Sequence, residues 1–142
     1  MRGPDGIGLI ASVVTALAAV VAVIVIPWQI AATDRIQRGQ TAREIYREFL
    51  SLSVNKPEVA SANWCNLTDA KAKTAYAAYV DFLLYTAEQT IDTDPEWQPV
   101  MREHLSVHLP YLCGAEDVSD VQTPVAGLLT QMRAECAKVP AC

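Results

Sequence analysis

The sequence lacks the residue patterns that most catalytic and metal sites require. It contains no Cys-x-x-Cys pair, no His-Glu-x-x-His motif and no glycine-rich phosphate loop. Ser106 lies between the two histidines, His104 and His108, but residues two apart on a helix do not face each other, so no nucleophilic triad is indicated. These absences predict a protein that is not an enzyme and that uses no cofactor.

Basic residues are also scarce, because 11 Lys and Arg stand against 16 Asp and Glu, for a net charge of -5. Nucleic-acid binding needs a concentrated basic surface, so no nucleic-acid partner is expected. The one basic cluster comprises Arg35, Arg38, Arg43 and Arg47. Acidic residues are interleaved with these arginines, which is typical of a solvated helix face.

Charge is absent altogether from the run Ile7 to Ile26. At 1.5 Å per residue, this run spans roughly 30 Å, the hydrocarbon thickness of a bilayer. A secretory signal peptide is the alternative, but its apolar region would have only about 7–15 residues. The run therefore predicts a retained single-pass anchor, with Trp28 at the headgroup level as its interface anchor.

Small residues recur at helical spacing within this anchor. The small face comprises Gly8, Ser12, Thr15, Ala19 and Ala22, and the opposite face carries Ile10, Val14, Leu17, Val21 and Ile24. Small side chains let two helices approach closely in lipid, so the small face is predicted to pack against another protein. The alternative is that such residues are simply common in transmembrane helices.

The side of the membrane is indicated by two conflicting signals. Four arginines follow the anchor and only Arg2 precedes it, which favours a cytoplasmic domain over an exported one. An even number of cysteines would suit disulfides in an oxidising compartment: Cys65, Cys113, Cys136 and Cys142. The charge rule is given more weight, which predicts free thiols. If the domain is exported instead, Cys136 and Cys142 are the pair most easily joined.

The rest of the chain shows helical periodicity and no strand pattern, which predicts an all-α protein. Its predicted parts are residues 1–28 as tail and anchor, 29–54 as a juxtamembrane helix, and 55–142 as a small domain of three or four helices. Within that domain we predict a short helix from Pro57, a central helix capped by Thr68 that continues to about Ile91, and two helices that begin at Asp94-Pro95 and Thr123-Pro124. Pro110 and Pro140 are predicted to end these last two helices.

His104, His108 and Cys113 have a spacing that could hold a metal ion such as zinc. Because no further ligand is found at a matching offset, the favoured interpretation is that no metal binds and the histidines satisfy polar groups near a helix end. The aromatic series Tyr76, Tyr79, Phe82 and Tyr85 is interpreted as core, with the hydroxyls at its polar rim.

A packing-competent anchor without a catalytic constellation indicates a non-catalytic accessory or assembly subunit of a larger membrane complex. The expected partners are the lipid bilayer and either other membrane subunits or a second copy. An alternative is a sensor or regulator that signals through its juxtamembrane helix, although Thr33, Gln37 and Gln40 interrupt the heptads that a signalling coiled coil requires. A membrane-anchored enzyme is the weakest alternative.

Overall fold

The computed structural model describes residues 5–114, 123–139 and 142, with side chains described from residue 11 onward except at position 123. Every regular element in these ranges is helical, which confirms the all-α class. The acidic stretch with Glu116, Asp117 and Asp120, which the sequence predicts to be a polar loop, lies outside the described residues, while Gly114, predicted in the same loop, ends a helix. The last helix is predicted to continue to Pro140, but it ends at Arg133 and a 3₁₀ turn follows at Cys136–Lys138.

The chain divides into two compact units, Met1–Arg38 and Gly39–Cys142. The first unit is formed by the N-terminal part of the helix α1 (Asp5–Asn55), which continues through Pro27. A proline removes one backbone hydrogen bond from a helix, and transmembrane helices tolerate this loss. Among the described residues, α1 is the one helix long and apolar enough to cross a membrane. The predicted boundaries of the juxtamembrane helix, at residues 28 and 54, rest on sequence composition and stay predictions.

The second unit begins with the C-terminal part of α1, and its described residues form five further α-helices. These are α2 (Pro57–Ala60), α3 (Ala70–Thr93), α4 (Gln98–Ser106), α5 (Leu109–Gly114) and α6 (Thr123–Arg133). Three short 3₁₀ turns, Trp64–Asn66, Pro95–Trp97 and Cys136–Lys138, lie between or after them.

The central helix of this unit is α3, as its apolar stripe predicts. Tyr76, Val80, Leu83 and Ala87 of α3 have no exposed surface. The buried core also includes residues from the other helices: Phe49, Met101, Leu105, Leu112, Val125, Leu128, Leu129 and Met132. Each of these long side chains contributes about 1.5–3 kcal/mol by leaving water, so the core is the main stabilising feature of the unit.

The helix boundaries follow the capping and proline signals, except at Thr68 and Pro110. Asp69, and not the predicted Thr68, caps α3, because its carboxylate accepts a hydrogen bond from the backbone N–H of Ala72 at 2.8 Å. Pro110 does not end a helix but lies in the first turn of α5, where its missing N–H would have no helical partner in any case. At the predicted start Asp94-Pro95, Asp94 caps the 3₁₀ turn Pro95–Trp97, which leads directly into α4 at Gln98. The predicted start at Thr123-Pro124 is confirmed.

Candidate functional site

The two histidines each bond to a tyrosine from a different helix. Nε2 of His104 lies 3.0 Å from the hydroxyl of Tyr46 in α1. Nδ1 of His108 lies 2.7 Å from the hydroxyl of Tyr76 in α3. Each pair thus joins the α4–α5 region to another helix, and the predicted role of the histidines as partners of polar groups fits this geometry.

Aromatic rings surround both imidazoles. The ring of His104 meets Phe49 edge-on at 5.1 Å between centroids, and the ring of His108 meets Tyr79 at 5.5 Å. Trp97 packs against Tyr46 at 4.9 Å, which closes the cluster on the α4 side. Edge-to-face contacts at these distances add about 0.5–1.5 kcal/mol to the area burial of each ring pair.

Burial controls the charge of this cluster. It lowers the pKa of His104, and the negative charge of Glu103 opposes that shift in part. Burial, with a smaller contribution from the neighbouring His104, lowers the pKa of His108 to about 4. Burial also raises the pKa of Tyr76 to about 12. The rings are therefore neutral at pH 7, and a neutral imidazole nitrogen can accept the hydrogen that a tyrosine donates.

Besides the two tyrosine–histidine pairs, a bond between two hydroxyls attaches α1 to α3. The hydroxyl of Ser53 donates to the backbone carbonyl of Phe49 at 2.9 Å and lies 2.7 Å from the hydroxyl of Tyr79. Because Ser53 has one hydrogen and gives it to the carbonyl, Tyr79 is the donor of the second bond. Sequence reasoning missed both Tyr46 and Ser53. They lie seven positions apart on the helix face of Phe49, and that spacing is the signal that would have found them.

The metal candidates do not form a metal site in the part of the chain that the structure describes. His104 and His108 are bonded to tyrosines, and Cys113 is joined in a disulfide to Cys136. Within the described ranges there is also no group of three or more His, Cys, Asp or Glu side chains that could hold a metal.

The prediction of free thiols is wrong, because none of the four cysteines is free. Cys65 is bonded to Cys142 with their Cα atoms 5.0 Å apart, and Cys113 is bonded to Cys136 with 5.6 Å between the Cα atoms. The alternative prediction, a bond between Cys136 and Cys142, also fails. Sequence proximity misled it, since the fold brings together residues 77 and 23 positions apart.

An open apolar groove of about 660 Å³ lies between the end of α1, α2 and the first half of α3. Its apolar lining comprises Leu52, Val59, Leu67, Ala72, Ala75, Ala78 and Tyr79. Four charged residues complete the lining. Two of them, Lys56 and Glu58, approach each other at 3.7 Å, and a third, Asp69, caps α3. The groove therefore offers apolar contact with little free charge.

The described residues of the small face belong to the first unit, on the N-terminal part of α1. Ser12, Thr15 and Ala19 are exposed, and the hydroxyl of Thr15 donates to the carbonyl of Ala11 within the same helix at 2.9 Å. Trp28 is 83% exposed, and its role as an interface anchor stays a prediction. Packing of the small face, including Gly8 and Ala22, stays a prediction.

Comparison with protein-family models, with curated proteins and with solved structures finds no match.

Proposed function

We propose that this chain is a non-catalytic, membrane-anchored accessory or assembly subunit, which acts through contacts with another protein of the same membrane. The proposal rests on one observation: the cysteine and histidine side chains, which could otherwise react, form bonds within the domain. The four cysteines form disulfides, and the two histidines are bonded to tyrosines among aromatic rings. The groups that could perform chemistry thus hold the domain together, while the groove offers an apolar contact surface.

We further propose that the domain lies on the oxidising side of the membrane, contrary to the expectation from the arginines. Disulfides persist in oxidising compartments and are rare in the cytosol, and two are present here. Long domains translocate largely regardless of the charges next to a span, so the arginines behind the anchor do not oppose this orientation strongly.

The orientation of the domain is tested with two substitutions, each of which introduces one new cysteine. Ser106 is exposed on α4, so Ser106→Cys should react with a membrane-impermeant maleimide in intact cells. Gly3→Cys, on the other side of the anchor, should react only after the membrane is permeabilised. The reverse pattern would place the domain in the cytoplasm.

Partner binding is tested by gentle detergent extraction and mass spectrometry of the proteins that co-purify. Ala75 lines the groove, whereas its exposed neighbour Thr74 does not. Ala75→Glu should therefore release the partner, because a carboxylate in an apolar contact loses its hydration, while Thr74→Glu serves as the matched control. Recovery of the wild-type chain as a lone monomer would contradict the accessory role.

One observation favours the alternative role of sensor or regulator. The helix that contains the predicted span also carries Tyr46, Phe49 and Ser53, which contact the histidine and tyrosine side chains of the domain. A change in these contacts would therefore act on the helix that enters the bilayer.

A further inference from the structure

The domain part of α1, Gly39–Asn55, faces the other helices with one row of side chains. Ala42, Tyr46, Phe49 and Ser53 follow each other at spacings of four, three and four, so they share one helix face. Ala42 and Phe49 are buried, while Tyr46 and Ser53 form hydrogen bonds with His104 and Tyr79. Attachment of this segment therefore combines apolar burial with two polar bonds.

The Tyr46–His104 bond attaches this segment directly, whereas His108 bonds to Tyr76 of α3 and reaches the segment through its ring contact with Tyr79, the partner of Ser53. Protonation would weaken both tyrosine–histidine bonds in either imidazole tautomer. Where the bonded nitrogen carries no hydrogen, the tyrosine donates to it, and protonation removes that acceptor. Where the nitrogen already carries the hydrogen, the bond survives but the ring becomes a cation. His108 is only 2% exposed, and a buried charge without a paired carboxylate is strongly unfavourable.

The groups that face the two imidazoles offer little compensation for such a charge. They are Tyr46 from α1, Tyr76 and Tyr79 from α3, Glu103 from α4 and, beyond Tyr76, Tyr111 from α5. Among these described neighbours Glu103 is the one carboxylate, and it is exposed to solvent. Moreover, His104 and His108 would repel each other if both were protonated.

We propose that the Tyr46–His104 pair, together with the Tyr76–His108 pair that contacts Tyr79, forms an acid-sensitive latch, which holds Gly39–Asn55 on the domain at neutral pH and releases it when the histidines take up protons. The latch is a property of the domain itself, so it can stand or fall independently of any partner.

The direction of the effect follows from proton linkage. The folded domain holds the pKa of both histidines below their usual value, so the unfolded or opened state binds protons more readily. The contribution of the latch is complete above the ordinary histidine pKa of about 6.5. It is lost progressively as the pH falls toward about 4, the pKa of His108 in the folded domain.

The test uses the full chain in detergent micelles and follows amide hydrogen exchange at pH 7.5, 5.5 and 4.5, corrected for the intrinsic rate. We expect protection of Gly39–Asn55 to fall by about tenfold or more at pH 4.5. Protection of α6, which carries neither histidine nor tyrosine partner, should fall less. Equal losses in both segments, or no loss in either, would overturn the latch.

A double variant separates the latch from general acid unfolding. His104→Gln places an amide near Nε2 and His108→Asn places one near Nδ1, so both can still bond to the tyrosines but cannot be protonated. The wild-type Tm should fall by about 10 °C or more between pH 7.5 and 4.5, and the variant should lose less than half of that. An equal fall in both proteins would overturn the proposal.

A measurement on the wild type covers the case in which the variant does not fold. The NMR signals of the two imidazole rings report their protonation directly. We expect His108 to titrate well below pH 6, together with the loss of protection in Gly39–Asn55. Titration of both rings near pH 6.5 with the segment still protected would overturn the latch.

Discussion

Two parts of the same helix depend on different surroundings. In residues 11–38 of α1 every side chain except the half-exposed Ala22 is exposed, although the apolar part of this segment has a mean hydropathy of 2.4. In residues 39–55 the row with Tyr46 and Phe49 is covered by the domain. Exposed apolar surface costs about 25 cal/mol per Å² in water. The second part has its apolar row covered by the domain, whereas the first part is long and apolar enough to cross a membrane.

The comparison predicts that substitutions in the second part change the stability of the domain, and that Phe49→Ala has the largest effect. The ring is 1% exposed and contacts Tyr79 and His104. Its removal should cost about 3–5 kcal/mol, because burial is lost and a cavity remains. Urea unfolding of the full chain in micelles, followed by tryptophan fluorescence, measures this loss.

Leu50 provides the control in the same helix, since 38% of its surface is exposed. Leu50→Ala should cost clearly less than Phe49→Ala. If the two variants were equally stable, the end of α1 would not be packed on the domain, and the difference between the two parts of the helix would disappear.

Effects of similar size are expected from the two disulfides, both of which lie within Gly39–Cys142, and the shorter loop is closed by Cys113–Cys136. Replacing both residues by Ser should cost about 2–4 kcal/mol, because the unfolded chain regains the freedom of the closed loop. Replacing Cys65 and Cys142 should cost roughly 1 kcal/mol more on the same chain-entropy argument, since their separation is 77 residues and not 23. Unchanged unfolding midpoints after either replacement would show that these bonds are not formed in the protein.

Local signals predicted the parts of the fold that depend on neighbouring residues. The apolar stripe identified α3, and Asp94-Pro95 and Thr123-Pro124 identified helix starts, because caps and periodicity act within a few residues. Pro110 was misread for a related reason, since a proline fits the first turn of a helix as well as the position after its end.

The candidate site could not be predicted in the same way because its pairs are distant in sequence. Tyr46 and His104 are 58 positions apart, and Tyr76 and His108 are 32 apart. A sequence shows that a histidine needs a partner, but the packing of three helices decides which hydroxyl meets it. The disulfides failed for the same reason, and the weight placed on the arginines added to the error.

A smaller effect is expected at the start of α3, where two adjacent residues compete for the role of cap. Asp69→Ala should destabilise the domain by about 1 kcal/mol, because the backbone N–H of Ala72 loses its acceptor. Thr68→Ala should change stability by less than about 0.5 kcal/mol. The opposite order, measured by the same urea titration, would restore the cap expected from the sequence.

The smallest effect on the domain is expected from the anchor, where Ala19→Ile and Gly8→Ile should leave the urea midpoint unchanged. Both substitutions raise hydrophobicity, so membrane insertion should also persist. Ile at a small position nevertheless separates two helix backbones by a side chain, and we therefore expect the co-purifying partner to be lost.

Leu17→Ile and Ile24→Leu, on the opposite face of the anchor, are the matched controls and should retain the partner. If all four variants retain the partner, the small face is a matter of composition and the anchor is only a tether. If an anchor variant instead shifts the urea midpoint, the two parts of α1 are coupled and the comparison between them fails.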